Sequence, residues 1–343
     1  MVLIIKSSLK GFATMYERLK IDTLRGLACV LLIAYHVIGF NAETGLKLSE
    51  GALRNINDTL VFIRMPLFTF LSGLVYAFWP FSSGGTSFIY KKVRRLLFPM
   101  LSVGTIFALL QALTPGANSN EIDWLTLHIK PVAHYWFIES LFIVFIFVLL
   151  CEKLKIFDRF DKFICVFIFS IVLYISPVNS DYFSFSGFIY LLPYFLFGMS
   201  LVRFNFSVNI SPVLGLGLLF FLIFIITLIF KGIVPYFEQR SLSSFILGCL
   251  GCLILLVVGI RFKPLAWIGS YSYSIYLFHV FFTAGTRIFL HKLNIYDVEI
   301  IFSIALATGL LLPILTEKIL ERNYFTNLVL LGKGNKKRPV DHS

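Results

Sequence analysis

Arg25 and His36 sit eleven residues apart inside one long apolar run, Ile21 to Phe40, read IDTLRGLACVLLIAYHVIGF. The run is long enough to cross a bilayer as a helix. On a helix that spacing brings a side chain back to within about 20° after three turns, so both groups share one face about 16 Å apart along the axis. Ionisable groups at such depth are costly and are usually kept for function. A histidine there can take a proton from a hydroxyl and return it. An arginine on the same face can hold a phosphate or a carboxylate. The bland alternative is an arginine reaching the headgroups and a histidine packed against a helix carbonyl. Asp22, three residues before Arg25, is placed either to aim it or simply to favour the helix N-terminus.

Further candidates lie along the chain. Arg64 precedes Met65-Pro66-Leu67-Phe68-Thr69-Phe70-Leu71-Ser72-Gly73. Pro66 marks a kink or a first turn, and Ser72-Gly73 permits close helix approach. Arg64 either meets a polar acceptor or faces water as an interfacial anchor. Lys91, Lys92, Arg94 and Arg95 form a compact cationic patch that attracts phosphate, or else only fixes topology. Tyr135 and Trp136 fit an aromatic belt, and Glu139 lies one turn deeper, where an unpaired carboxylate is expensive. Glu139 is suited to orienting a histidine or meeting a sugar hydroxyl. Ser272, Tyr276 and His279, at i, i+4 and i+7, share a side suited to interhelical hydrogen bonds or to a lined cavity.

The elements that must position these groups follow from composition. Of 343 residues, 58% are hydrophobic and 14% charged, and the mean hydropathy is +0.87. Soluble domains run near 25% charged. Repeated apolar runs of spanning length leave an all-α polytopic membrane protein, since lipid satisfies no free backbone group. The net charge of +12 does not imply nucleic acid, because Lys and Arg sit in short loops between apolar runs. The five cysteines lie in or beside apolar runs, and Cys249-Leu-Gly-Cys252 stands alone, so neither a disulfide framework nor a metal site is expected. No G-x-S-x-G elbow, Walker loop or HExxH motif occurs, which leaves a serine nucleophile without support.

Ten spanning helices are expected, near 22–40, 59–79, 96–114, 135–151, 162–177, 188–202, 212–230, 242–260, 267–289 and 299–319. Most of the 30 lysines and arginines then fall in the N-terminal segment, alternate loops and the tail, which places both termini in the cytoplasm. Residues 1–16 read as a cytoplasmic segment, with Met15 as a second candidate start. Residues 17–332 form one membrane domain, and 333–343 a basic cytoplasmic tail. No cleaved signal peptide is recognisable.

With these residues in view, the chain resembles the acyltransferase-3 family of bacterial membrane acyltransferases. The resemblance rests on Arg25, ten residues and His36; on Met65 to Gly73; on Lys92 and Arg95 ahead of Leu96, Leu97 and Pro99; on Trp136-Phe137-Ile138; and on Gly269 through His279. Lys92 departs from the family's first arginine in its Arg-x-x-Arg stretch. The resemblance implies ten membrane helices and transfer of acetyl from acetyl-CoA to a hydroxyl of O-antigen, exopolysaccharide or a lipid-linked precursor, in the bacterial inner membrane. It implies His36 as base, with Arg25, Lys92 and Arg95 engaging the donor. The expected site comprises His36, Arg25 and Glu139 for catalysis; Lys92, Arg94 and Arg95 for the donor; and Arg64, Ser72, Trp136, Tyr276 and His279 around the acceptor. Expected partners are the glycan acceptor, the lipid bilayer and glycan-assembly proteins. Rival readings are succinyl or other acyl transfer to a glucan, lipid or small molecule, and a glycan flippase, which would show inverted repeats that are not visible here.

Overall fold

The computed structural model describes residues 2–78, 80, 85–114, 122–206, 211–233 and 238–334, with side chains from residue 18 onward except at 85, 86 and 212. Among these residues every regular element is helical. The first half comprises α1 (Val2–Ile38), α2 (Ala52–Thr59), α3 (Val61–Phe78), α4 (Gly85–Lys92), α5 (Phe98–Leu113), α6 (Trp136–Lys153) and α7 (Phe160–Ile175). The second half comprises α8 (Phe185–Arg203), α9 (Pro212–Phe230), α10 (Leu242–Val258), α11 (Lys263–Ser270), α12 (Ser272–Lys292), α13 (Val298–Leu320) and α14 (Tyr324–Leu331). A π-helical turn, Val93–Leu97, joins α4 to α5, and 3-10 turns precede α6 and α8.

Each of the ten expected segments falls on helix in its described residues, although 267–289 is broken at Tyr271 into α11 and α12. Seven helices are long and apolar enough to span a membrane, in α1, α3, α4 with α5, α6, α8, α9 and α13. The other three differ for physical reasons. α7 has 16 residues and α10 has 17, fewer than the ~20 that a hydrocarbon core asks for. α12 has 21 residues, but Tyr273, Tyr276, His279 and Arg287 make it polar. The chain is an integral membrane protein. Val213, Phe220, Phe221 and Phe224 of α9 project from the bundle, as apolar side chains do against lipid.

Two backbone contacts set the bundle's geometry. At Gly26 of α1 an added Cβ would lie 1.9 Å from the Leu265 carbonyl oxygen, and at Gly269 of α11 it would lie 1.9 Å from that of Asp22. At Gly73 of α3 it would lie 2.0 Å from the Phe195 oxygen, and at Gly198 of α8 it would lie 2.1 Å from that of Phe70. Each pair lets two helices touch through bare backbone, as small residues do in membranes. Between them lies a core of aromatic rings, with Tyr76 packed on Phe88, Phe145 and Phe195.

Valine at Gly73 or Gly198 is expected to cost about 2 kcal/mol or more through overpacking. The monodisperse yield in detergent should fall about tenfold. Valine at Gly217 should change nothing, because an added Cβ there meets open space. Thermal-shift and size-exclusion measurements on the three variants check this.

Candidate active site

α1 and α12 cross the bundle side by side, and His36 and His279 face each other between them with ring centroids 4.8 Å apart. A third imidazole completes the group. His134 stands in the 3-10 turn Ala133–Tyr135 ahead of α6, with its ring 5.5 Å from His36 and 4.8 Å from His279. Ala133 is held at φ 50°, a left-handed conformation that a non-glycine residue adopts only where its surroundings impose it. The Tyr135 hydroxyl pins the turn by donating to the Leu277 carbonyl at 2.9 Å. Phe107 of α5 closes one side, edge-on to His134 at 5.9 Å.

The hydrogen bonds fix which nitrogens carry protons. His134 Nε2 contacts the Tyr276 carbonyl oxygen at 3.1 Å. His279 Nδ1 contacts the same oxygen, and that of Ile275, at 2.9 Å. A carbonyl only accepts, so each of these nitrogens bears the hydrogen. In the neutral rings, His134 Nδ1 and His279 Nε2 are therefore lone pairs. Both are buried without a protein partner. The Tyr276 hydroxyl donates to the His134 carbonyl and closes the loop between the two segments. His36 is half-buried, and no protein hydrogen bond among the described residues holds its ring. The arrangement is two buried imidazoles, each held through one nitrogen, beside a third, His36, whose ring takes no protein hydrogen bond among the described residues. Among the described residues no group of His, Cys, Asp and Glu is placed to hold a metal ion.

Arg64 reaches the same neighbourhood through Tyr35. Its guanidinium carbon lies 4.0 Å from the Tyr35 ring centroid, and that ring is 5.0 Å from His36. Arg64 is 3% exposed and donates from Nη2 to the Asn57 carbonyl at 2.6 Å and to Asn57 Oδ1 at 3.1 Å. Its Nε is buried and unpartnered, and no carboxylate among the described residues pairs with it. The neighbouring Arg54 does pair, with Asp58 at 2.7 Å, and it caps the end of α1 through the carbonyls of Gly39 and Phe40.

The other expected site residues lie elsewhere. Arg25 Nη1 donates to Asp22 Oδ1 at 3.0 Å, the pairing that the three-residue spacing suggests, three turns before His36. Lys92 Nζ lies 3.4 Å from the centroid of Phe145. Arg94 lies 5.7 Å from Tyr90. Arg95 stacks 4.2 Å from Tyr273 and donates to the Leu331 carbonyl at 2.8 Å. These cations occupy the bundle end at which α12 begins. Glu139 is buried at the contact of α6 with α8 and accepts from the Ser184 hydroxyl at 2.6 Å. Trp136 packs against Phe137 and Tyr190. Ser72 donates within its own helix to the Phe68 carbonyl at 2.8 Å. The structure thus joins His36, Tyr276 and His279, links Arg64 to them through Tyr35, and sets the rest apart. His134 is absent from the residues singled out in the sequence. Its only signal there is a third histidine at the mouth of an apolar run.

A family model for an acyltransferase domain, acyltransferase-3, matches residues 18–317. The chain belongs to the acyltransferase-3 family. No curated protein and no solved structure matches it. The matched stretch contains every residue of the imidazole group together with Arg64, and it ends at Glu317, ahead of α14. The protein is a membrane acyltransferase.

Phenylalanine at His134 or at His279 keeps ring volume and removes the lone pair. Each substitution also removes an N–H donated to the Tyr276 carbonyl, and it is expected to lower acyl transfer by about 100-fold per amount of folded protein. Label transfer from a radioactive acyl donor in isolated membranes measures this. Full transfer in both variants would show that the buried lone pairs play no part.

Proposed function

We propose that this acyltransferase moves an acetyl group from acetyl-CoA to a hydroxyl of a surface polysaccharide, of the O-antigen or exopolysaccharide type, or of its lipid-linked precursor, in the bacterial inner membrane. The observation that carries this reading is the half-buried His36 packed against two buried imidazoles that are each hydrogen-bonded to the Tyr276 carbonyl through one nitrogen. Acyl transfer to a hydroxyl requires a base of that kind, near neutrality and inside an apolar wall.

In this reading His36 takes the proton of the acceptor hydroxyl as its oxygen attacks the thioester carbonyl. The new C–O bond forms, the C–S bond breaks, and the proton on His36 passes to the departing CoA thiolate. The lone pairs of His134 and His279 favour the protonated state of His36 while it lasts. Arg64 brings a positive charge that no described carboxylate neutralises, suited to an oxygen that turns negative. The basic end with Arg25, Lys92, Arg94 and Arg95 attracts the phosphates of a cytoplasmic donor. The acceptor approaches from the opposite end, where Arg54 and Arg64 cluster, so the imidazoles lie between the two substrates. Glu139 acts in this scheme by fixing the α6–α8 contact rather than by touching the acceptor. Glycan-assembly proteins that deliver the acceptor are its natural partners.

His36→Ala is expected to lower glycan O-acetylation by about 1,000-fold, read by mass spectrometry of the cell-surface glycan with the protein still present in the membrane. Undiminished acetylation would remove the mechanism. Incubation of membranes with labelled acetyl-CoA and succinyl-CoA in parallel assigns the transferred group: acetyl incorporation supports the reading, and succinyl alone overturns it.

A further inference from the structure

Arg95 does not stand free at the basic end. Its guanidinium reaches 236 residues along the chain to the carbonyl of Leu331, the last residue of α14. That oxygen is one of the carbonyls a helix C-terminus leaves without an internal donor, where a cation is most favourable. Ser102 of α5 serves a second such carbonyl, donating to Val329 at 2.8 Å. The chain then turns at Gly332, held at φ +61°, so close to the π-helical turn that an added Cβ would lie 2.2 Å from the Arg94 carbonyl oxygen and 2.8 Å from Arg95 Cα. Only glycine fits both that conformation and that approach. Lys333, the next residue, ties the segment back to α13 through ion pairs with the buried Glu317 and with Glu321.

The clamp also reaches the imidazole helix. The Tyr273 hydroxyl donates to the Arg95 carbonyl while its ring lies under the Arg95 guanidinium. Tyr273 is on α12, less than two turns from His279. Lys92, the last residue of α4 and the residue immediately ahead of the turn, lies with its Nζ over the Phe145 ring. A π-helical turn adds one residue to the helix period and so sets the angular offset between the residue ahead of it, Lys92, and Arg95 and α5 beyond. Such a turn persists only where its surroundings hold it.

We infer that Tyr324–Lys333, beyond the matched family domain, is a positioning clamp on the turn Val93–Leu97. It holds Arg95 as its anchor and leaves Lys92 as the cation presented to the donor. This rests on the donor reading proposed above. Arg95 is then a positioning residue, and Lys333, Gly332 and Leu331 act through it.

Lys333→Glu in the full-length detergent-solubilised protein is the test, with Lys333→Arg as the conservative partner. The clamp predicts that Lys333→Glu raises KM for acetyl-CoA about fivefold or more with kcat within about twofold, and that Lys333→Arg keeps both. It also predicts that amide hydrogen exchange in residues 93–97 speeds up about tenfold in Lys333→Glu, while that of α8 does not. Unchanged exchange in both Lys333→Glu and Gly332→Val overturns the clamp. Faster exchange with unchanged KM overturns its role in donor placement. Faster exchange in a protein that turns over no acyl-CoA supports the clamp and instead removes the proposed donor.

Discussion

One carbonyl oxygen organises the imidazole group. Tyr276 O accepts the Nε2 hydrogen of His134 and shares the Nδ1 hydrogen of His279 with Ile275 O. In an apolar interior an unmade hydrogen bond costs far more than in water, so these contacts decide the tautomers. Two lone pairs are thereby placed beside His36, which ring packing holds but no protein hydrogen bond fixes among the described residues. The Tyr276 side chain reinforces the arrangement by donating to the backbone that carries His134. Arg64, Tyr35 and the aromatic walls are placed relative to that pair of segments.

The same two helices connect this centre to the basic end. α1 carries Asp22 and Arg25 near one end of the bundle and His36 near its own C-terminus. α12 begins at Ser272, places Tyr273 under Arg95 and reaches His279 less than two turns after Tyr273. The backbone contact of Gly26 with Leu265, and of Gly269 with Asp22, locks α1 to α11 directly ahead of α12. The basic end and the imidazoles therefore sit on a shared helical frame. Their separation along α1 is set by helix rise, about 16 Å.

Much of this was legible in the sequence, and the exceptions have physical causes. The apolar runs marked every long helix, because length and hydropathy alone decide which segments lipid accepts. The pairing of Asp22 with Arg25 and the close approach at Gly73 followed from helical spacing and residue size. His279 was visible as one edge of a polar stripe. His134 was not, because it lies in a short 3-10 turn before α6 and has no period to read. The anchoring of Arg95 was hidden for another reason: its partner is a backbone carbonyl 236 residues away, and backbone acceptors leave no trace in residue type. Glu139 looked like an expensive lone carboxylate, and the structure gives it a serine, Ser184, from the 3-10 turn ahead of α8.

The mechanism requires His134 and His279 to be neutral and held in opposite tautomers beside His36, whose ring no protein hydrogen bond holds among the described residues. Nitrogen-15 solid-state NMR of the histidine-labelled protein in lipid, with each ring assigned by its single-site variant, observes this directly. The account predicts one ring protonated only at Nε2 for His134, one protonated only at Nδ1 for His279, and an exchanging signal for His36 alone. Doubly protonated His134 and His279 at neutral pH, or tautomer exchange in all three rings, would contradict it.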